Sequence, residues 1–299
     1  MLLCSRAFLL TLVGILAWGG ECLAGKRAFV IKDSGDKRPA PAWVGELYRK
    51  PAGKFPPLEA GRLVYEISWS DVLVAGRTEI RLGADEREDF PGKLLGSAEG
   101  SSRGLARLLW PYDHSFESVI DPLTLRPLWF FSEEIDRRET LHTTNVFAGD
   151  GVIANKAVTV QKRGAERVEK NRVFDVAPTF DLLSMFLFLR SLPLARRGEE
   201  MVFLVHPFSG AYVVRFTVLG REKHRGARGK EDAIVLDVDI STVRKNRDLK
   251  KYTKLKKATI WVSDDARRIP LEIRAEIFVG SIRVRLVEWE SLGAKNDER

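Results

Sequence analysis

The chain has 299 residues and a net charge of +8, from 49 Lys and Arg against 41 Asp and Glu, with four histidines and two cysteines. Cys4 and Cys22 both fall in the first two dozen positions, so the rest of the chain has no disulfide, thiol nucleophile or cysteine-ligated metal. That length suits one large β domain or two small ones.

Residues 1–24 read as a secretory leader. Arg6 supplies the positive start, Ala7 to Trp18 the apolar core, and Cys22-Leu23-Ala24 small residues before a cut after Ala24. The core is short for an uncleaved anchor, and Glu21 sits where a lipoprotein leader wants a small residue. The expected location is therefore periplasmic. A basic exported protein meets anionic lipid head groups, lipopolysaccharide or acidic polymers, and export argues against nucleic acid as a partner.

Residues 25–60 carry Pro39, Pro41, Pro51, Pro56 and Pro57 among many charges and read as an extended lead-in. Within it Ala42-Trp43-Val44 and Leu47-Tyr48 are suited to docking on the domain that follows. From Gly61 to about residue 290 the chain reads as a single β-rich domain, with 291–299 as a polar tail. Strands are expected over Leu63–Trp69, Val72–Leu82, Leu94–Gly100, Ser115–Ile120, Leu128–Ile135, Leu141–Phe147, Val152–Gln161 and Val168–Phe174. Gly76 marks a bulge or close approach, and Ala148-Gly-Asp-Gly151 a hairpin turn. Residues 101–112 read as a short helix or a buried loop.

Residues 176–193 predict the one long helix. Pro178 and Thr179 start it, Asp181 falls in its first turn, Arg190 in its last, and Pro193 stops it. Leu182, Leu183, Met185, Phe186, Leu187, Phe188 and Leu189 leave almost no polar face, so the helix must be buried on nearly all sides. It is too short for a membrane span, which needs about 20 residues.

Further strands are expected over Met201–His206, Ala211–Leu219 and Ala233–Ile240. A closing meander follows over Ala258–Val262, Ile269–Val279 and Ser281–Trp289. A dozen strands and one buried helix predict a mainly β fold: a large curved antiparallel sheet, a half-barrel, wrapped around the helix.

Leu63-Val-Tyr-Glu-Ile-Ser-Trp69 followed by Ala75-Gly76, together with Phe116-Glu-Ser-Val-Ile-Asp-Pro122, resembles the opening blocks of an exported bacterial family, domain of unknown function 3108. Phe180-Asp-Leu-Leu-Ser-Met-Phe-Leu-Phe-Leu-Arg190 resembles its helix. Trp261-Val-Ser-Asp-Asp-Ala-Arg-Arg-Ile-Pro-Leu271 with Gly280-Ser281 resembles its closing hairpin. That hairpin also resembles the tryptophan-strand, turn, proline-strand unit of periplasmic lipoprotein carriers of the LolA type. Those carriers are half-barrels plugged by helices that bind acyl chains. The resemblance implies a fold and, through the carriers, a lipid or lipoprotein acyl chain as partner; it implies no catalytic residue.

No residue pattern points to catalysis. His114, His142, His206 and His224 show no metal spacing, and neither a metal nor a cofactor is expected. His206, Ser209 and a carboxylate form a triad only if the fold gathers them. Asp264-Asp265 before Arg267-Arg268 reads as a solvated turn, and at most one of Glu133-Glu134 can point inward. Asp181, Ser184 and Arg190 on the buried helix admit two readings: contact with a ligand head group, or capping of the helix ends. Phe186, Phe188 and Trp261 are the aromatic candidates for a ligand surface.

Eight cations crowd fourteen positions: Arg244, Lys245, Arg247, Lys250, Lys251, Lys254, Lys256 and Lys257. They suit an anionic membrane surface or simply a solvated loop. Arg221, Lys223, Arg225, Arg228 and Lys230 form a second cluster, expected in a loop at the same rim. The expected function is non-enzymatic binding of a hydrophobic or amphiphilic envelope molecule. An interaction or assembly protein with a filled core is the alternative, and a hydrolase comes last.

Overall fold

The computed structural model describes residues 39–55, 59–148, 153–161, 167–208, 210–226 and 229–292. The leader expected over 1–24, the turn at 149–152, Ser209, Arg228 and most of the tail lie outside the described residues.

The first half is a meander of eight strands: β1 (Gly61–Trp69), β2 (Leu73–Ala84), β3 (Leu94–Ser102), β4 (Asp113–Ile120), β5 (Pro127–Ile135), β6 (Glu139–Phe147), β7 (Ile153–Gln161) and β8 (Arg167–Phe174). A short helix, α1 (Gly104–Leu109), joins β3 to β4. The second half runs β9 (Thr179–Phe180), helix α2 (Leu182–Ser191), β10 (Glu200–Val205), β11 (Tyr212–Gly226), β12 (Gly229–Val243), β13 (Leu249–Lys251), β14 (Leu255–Ser263), β15 (Pro270–Ile277) and β16 (Ser281–Ser291).

Among the described residues all sixteen strands belong to one sheet, with β8 at one edge and β9 at the other. The halves join where β1 pairs antiparallel with β16. All pairings are antiparallel except β9 on β10. The expected curved sheet around a buried helix is the fold observed. No helix among the described residues is long and apolar enough to cross a membrane.

A sheet this wide has to curl. The curl brings the turn after β10 against β6 and β7 from the far half. Asn145 Nδ2 donates to the carbonyls of His206 (3.1 Å) and Phe208 (3.3 Å), and Asn155 Nδ2 donates to Phe208 O (3.1 Å). The Phe208 ring meets Phe116 edge-on at 5.4 Å, so this turn plugs that end of the interior.

Three expectations change. Helix α2 begins later than the start signal implied, because Thr179 and Phe180 pair with β10 and Asp181 is the N-cap rather than a first-turn residue. Residues 221–226 and 229–232 are strand, not loop: β11 and β12 form a long hairpin bent at the register shift beside Gly220 (φ 145°). Its tip curls over the outer face, where Glu222 accepts from Trp261 Nε1 at 2.7 Å. The two basic clusters therefore lie at opposite ends of β12, not on one rim.

Gly76 does both things expected of it. It sits at the β1–β2 register shift, and a Cβ there would lie 2.9 Å from Ser101 O. The lead-in docks through Trp43, Val44 and Leu47, buried against Val202, Leu204 and Val213.

Candidate functional site

Helix α2 has no polar face because it buries two faces in different surroundings. Met185, Phe188 and Leu189 enter the core, where Phe188 packs edge-on with Phe180 at 5.1 Å and Phe203 at 5.9 Å. The other face carries Leu182, Leu183, Phe186, Leu187 and Arg190, three to four residues apart and so on one stripe. That stripe faces a cavity of about 200 Å3 between α2 and the inner surface of the sheet. The volume is more than ten times the ~15 Å3 that holds one water.

The opposite wall comes from strands around the β1–β16 junction: Leu63 and Tyr65 on β1, Ile80 on β2, Ile273 on β15 and Val284 on β16. Two small residues on β3 make the room. Gly96 and Ala98 line the cavity, and a Cβ on Gly96 would come within 3.3 Å of Leu183 Cδ1. The space is therefore specified by sequence: larger residues at 96 and 98 would fill it.

Polar groups gather at one end. Glu59, Arg190, Arg267 and Ser291 are among the lining at that end, and Glu59 is exposed, so the cavity reaches solvent there; the Arg81 side chain turns to the outer face, where it pairs with Glu79 at 2.6 Å. Arg267 forms a two-point ion pair with Asp265 (2.5 and 2.8 Å) and stacks on Trp289 at 4.9 Å. Arg190 is different. Its Nη2 donates to the Arg267 carbonyl at 2.6 Å, while its Nε is buried without a hydrogen-bond partner. Burial lowers the Arg190 pKa, with Tyr65 and Asp265 opposing the shift. A half-buried cation with one covered donor unused is an acceptor-seeking group at an apolar wall.

The sequence matches the family model described as Protein of unknown function (DUF3108) over residues 64–287. The chain belongs to this family. No curated protein matches it. Among solved structures it is similar to a beta-barrel-like protein of domain of unknown function DUF1849 from Brucella abortus. That likeness has 10% identity and a TM-score of 0.47, covering 78% of this chain and 98% of the other. A candidate lipoprotein from Parabacteroides distasonis is similar at 9% identity and TM-score 0.33, over 81% and 100% of the two chains. An exported-type protein with a YmcC-like fold from Bacteroides fragilis is similar at 7% identity and TM-score 0.30, over 80% and 99%.

In this member of the family, Phe186 and Arg190 stand on the cavity wall, whereas Asp181, Ser184, Phe188 and Trp261 do not. Asp181 and Ser184 form a reciprocal capping box: Ser184 N donates to Asp181 Oδ1 (2.9 Å) and Asp181 N to Ser184 Oγ (3.1 Å). Ser118 Oγ adds a third bond to Asp181 Oδ2 at 2.6 Å. Burial raises the Asp181 carboxyl to about 6 against these bonds. Phe188 belongs to the aromatic core, roofed by Arg126 at 5.1 Å. Trp261 faces outward and stacks on His224 at 5.0 Å.

The histidines are scattered. Burial pushes His114 and His206 down to about 4, so both stay neutral in the core. His142 pairs with Glu133 at 2.6 Å. His206 faces Asn145 and the Phe174 ring. No group of His, Cys, Asp and Glu among the described residues could hold a metal ion. Of the basic run, Arg247 is tied to Asp175 at 2.6 Å and supplies the carbonyl that Trp43 Nε1 reaches at 2.9 Å. It anchors the lead-in, while Arg244, Lys245, Lys250, Lys251, Lys256 and Lys257 are exposed and Lys254 is half-buried.

The cavity itself escapes a reading of the sequence alone. Gly96 and Ala98 look like ordinary strand residues until their register against α2 is known. The usable signal was the second apolar stripe on a helix that one core face could not fully bury.

Proposed function

We propose that the protein is a non-enzymatic, exported envelope protein that holds an anionic amphiphile. Its apolar part enters the cavity beside Phe186, and its head group meets Arg190, with Arg267 nearer solvent. The observation that carries this reading is the half-buried Arg190, its covered Nε without a partner, at the polar end of a largely apolar cavity. Each methylene taken out of water contributes about 0.8 kcal/mol, so a chain segment of about six would supply ~5 kcal/mol before the head group counts. The leader expected over residues 1–24 supports a periplasmic location. The cavity is smaller than the ~300–1,000 Å3 of pockets that enclose whole drug-sized ligands, which suits one acyl chain or part of one.

Native mass spectrometry of the chain purified from a bacterial periplasm tests this, with solvent extraction of whatever it releases. A bound lipid or fatty acid, absent from a Leu63→Trp variant that fills the cavity, is the expected result. A clean apoprotein mass that persists after incubation with envelope lipids would overturn the proposal and favour an assembly protein instead.

A further inference from the structure

The end of the curved sheet opposite the cavity mouth exposes an apolar rim. Three connections build it. Helix α1 presents Leu105 and Leu108, 63% and 69% exposed; the β1–β2 turn presents Val72, 90% exposed; and the β15–β16 turn presents Phe278, 86% exposed. Among the described residues these side chains stay open to solvent, although each connection is held by hydrogen bonds. The two turns are joined by Trp69 Nε1 donating to Val279 O at 3.1 Å and Ser70 N to Ser281 O at 2.7 Å. Helix α1 is tied to β2 by Arg103 N donating to Ala75 O at 2.8 Å. Scattered exposed apolar residues are ordinary, but four large ones on three fixed adjoining connections form a patch.

Cations flank the patch on both sides. Arg137 on the β5–β6 turn donates to the Leu108 carbonyl, and Arg103 precedes α1. On the other side Lys256 Nζ lies 5.7 Å from the Phe278 ring, with Lys257 beside it. Of the nearby carboxylates, Asp71 meets Arg283 at 3.1 Å and Asp113 meets Arg107 at 2.5 Å, while Glu276 stands opposite Lys257 in the β14–β15 register and offsets it, which leaves Arg103, Arg137 and Lys256 in excess. The uncompensated charge of this rim is therefore positive.

We infer that this rim docks on an anionic lipid bilayer, its apolar tips entering the head-group boundary while the flanking cations meet lipid phosphates. Apolar side chains ringed by Lys and Arg are the pattern that holds a protein in the membrane interface, and the charge decides for lipid over an uncharged protein face. The inference goes beyond the cavity reading and does not depend on it. Strand β1 separates the two ends by nine residues, about 30 Å at ~3.3 Å per residue, so a docked molecule holds its cavity mouth away from that bilayer.

The test is cosedimentation with vesicles of phosphatidylglycerol and phosphatidylethanolamine, with phosphatidylcholine vesicles as the neutral control. The wild-type chain is expected to bind the anionic vesicles. Lys256→Gln with Lys257→Gln should weaken binding roughly 30-fold at low salt, from ~1 kcal/mol per cation. Leu105→Ser with Leu108→Ser and Phe278→Ser should weaken it at least about tenfold at every salt concentration, because the removed side chains no longer leave water. These apolar positions are exposed, and unchanged circular dichroism would confirm that the variants fold. Absence of wild-type binding would overturn the inference, as would unchanged binding of the apolar variant. So would a wild-type dimer that the apolar variant dissolves, since the patch would then bury a second copy. The Leu63→Trp cavity variant should bind vesicles as the wild type does, which separates failure of one proposal from failure of the other.

Discussion

Arg190 Nη2 donates to the backbone carbonyl of Arg267 at 2.6 Å, joining the last turn of helix α2 to the β14–β15 turn. One bond thus fixes a half-buried guanidinium at the cavity wall and ties the helix to the sheet. The two consequences separate on mutation. Arg190→Met keeps the apolar volume and removes a charge that costs free energy to bury. Its stability in urea is expected within about 1 kcal/mol of wild type, because the lost hydrogen bond and the relieved desolvation oppose each other. Displacement of an anionic fluorescent fatty acid should weaken about tenfold or more, whereas an uncharged analogue should bind alike. Equal losses for both probes would show that Arg190 only shapes the cavity.

The capping box makes a second prediction, in pH. The Asp181 carboxyl is raised to about 6 by burial, above the ~3.9 of an unfolded chain. Between about pH 4 and 6 the folded state therefore holds the extra proton, and this group's contribution to stability falls as pH rises through that window. Asp181→Asn retains an acceptor for Ser184 N without the charge. Its stability relative to wild type should improve from pH 4 to pH 7 by up to about 3 kcal/mol, at about 1.4 kcal/mol per unit. His114 and His206, lowered to about 4, titrate in the same range with the opposite sign: their contribution is lost as pH falls. They are common to both proteins and cancel in the difference. Urea melts at pH 4, 5, 6 and 7 measure it, and a flat difference would mean that Asp181 is not raised. Asp181→Ala, which removes the cap as well, should cost about 1–2 kcal/mol at pH 4.

How far the sequence carried the fold depended on whether the signal was local. Alternation along β16 puts Ile282, Val284 and Leu286 on one face, as they are, because one face of that strand is wet. It would add Glu288 to them and set Trp289 opposite, but the bulge against Val64 and Tyr65 reverses the order, so Glu288 faces out to Arg62 and Arg77 and Trp289 lines the cavity. The end of β11 carries no local strand signal, because Arg221, Lys223 and Arg225 show no apolar alternation; the strand there is held by pairing with β12 and by a bend onto the outer face. The site divides in the same way. Asp181 and Ser184 announced a cap, which is a contact between neighbours in sequence. Phe186 and Arg190 belong to a cavity whose other wall is made of residues about a hundred positions away in either direction. No window of sequence carries that register.

Gly53 ties the lead-in to the end of helix α2. Its N–H donates to Ser191 Oγ at 2.9 Å, Phe55 N donates to Ser191 O at 3.1 Å, and a Cβ on residue 53 would lie 1.9 Å from that carbonyl. Backbone cannot give way as a flexible side chain can, so Gly53→Ala must lift the segment off the helix. The expected result is faster proteolysis within residues 49–55 and a stability loss of about 1–3 kcal/mol, the range for a buried group left unpaired. Proteolysis unchanged from wild type would place the anchor elsewhere, at Trp43 and its bond to Arg247 O.

Glu272 is the hub of the outer face beneath the β11–β12 tip. Its carboxylate is fully covered and meets Arg283 at 2.7 Å, Arg274 at 2.9 Å and His224 Nε2 at 3.3 Å. Burial alone would raise its pKa. The hydrogen bonds from His224 and Arg283, with the charges of Arg283 and Arg274, outweigh burial and bring it down to about 2. A carboxyl lowered in the folded state contributes stability that is complete above the unfolded value near 4.3 and is lost as pH falls toward 2. Glu272→Gln removes the charge and leaves Arg274 and Arg283 facing one another. Stability at pH 7 should fall by about 3 kcal/mol, the lower end of the range for breaking a buried pair, since both arginines reach solvent. The acid limb of the wild-type stability curve below pH 4 should become shallower in the variant. The hairpin tip should also loosen, read as faster amide exchange at residues 221–226 with no change at α2. Uniform loosening of the whole sheet would instead mean that Glu272 supports the β15–β16 pairing rather than the tip.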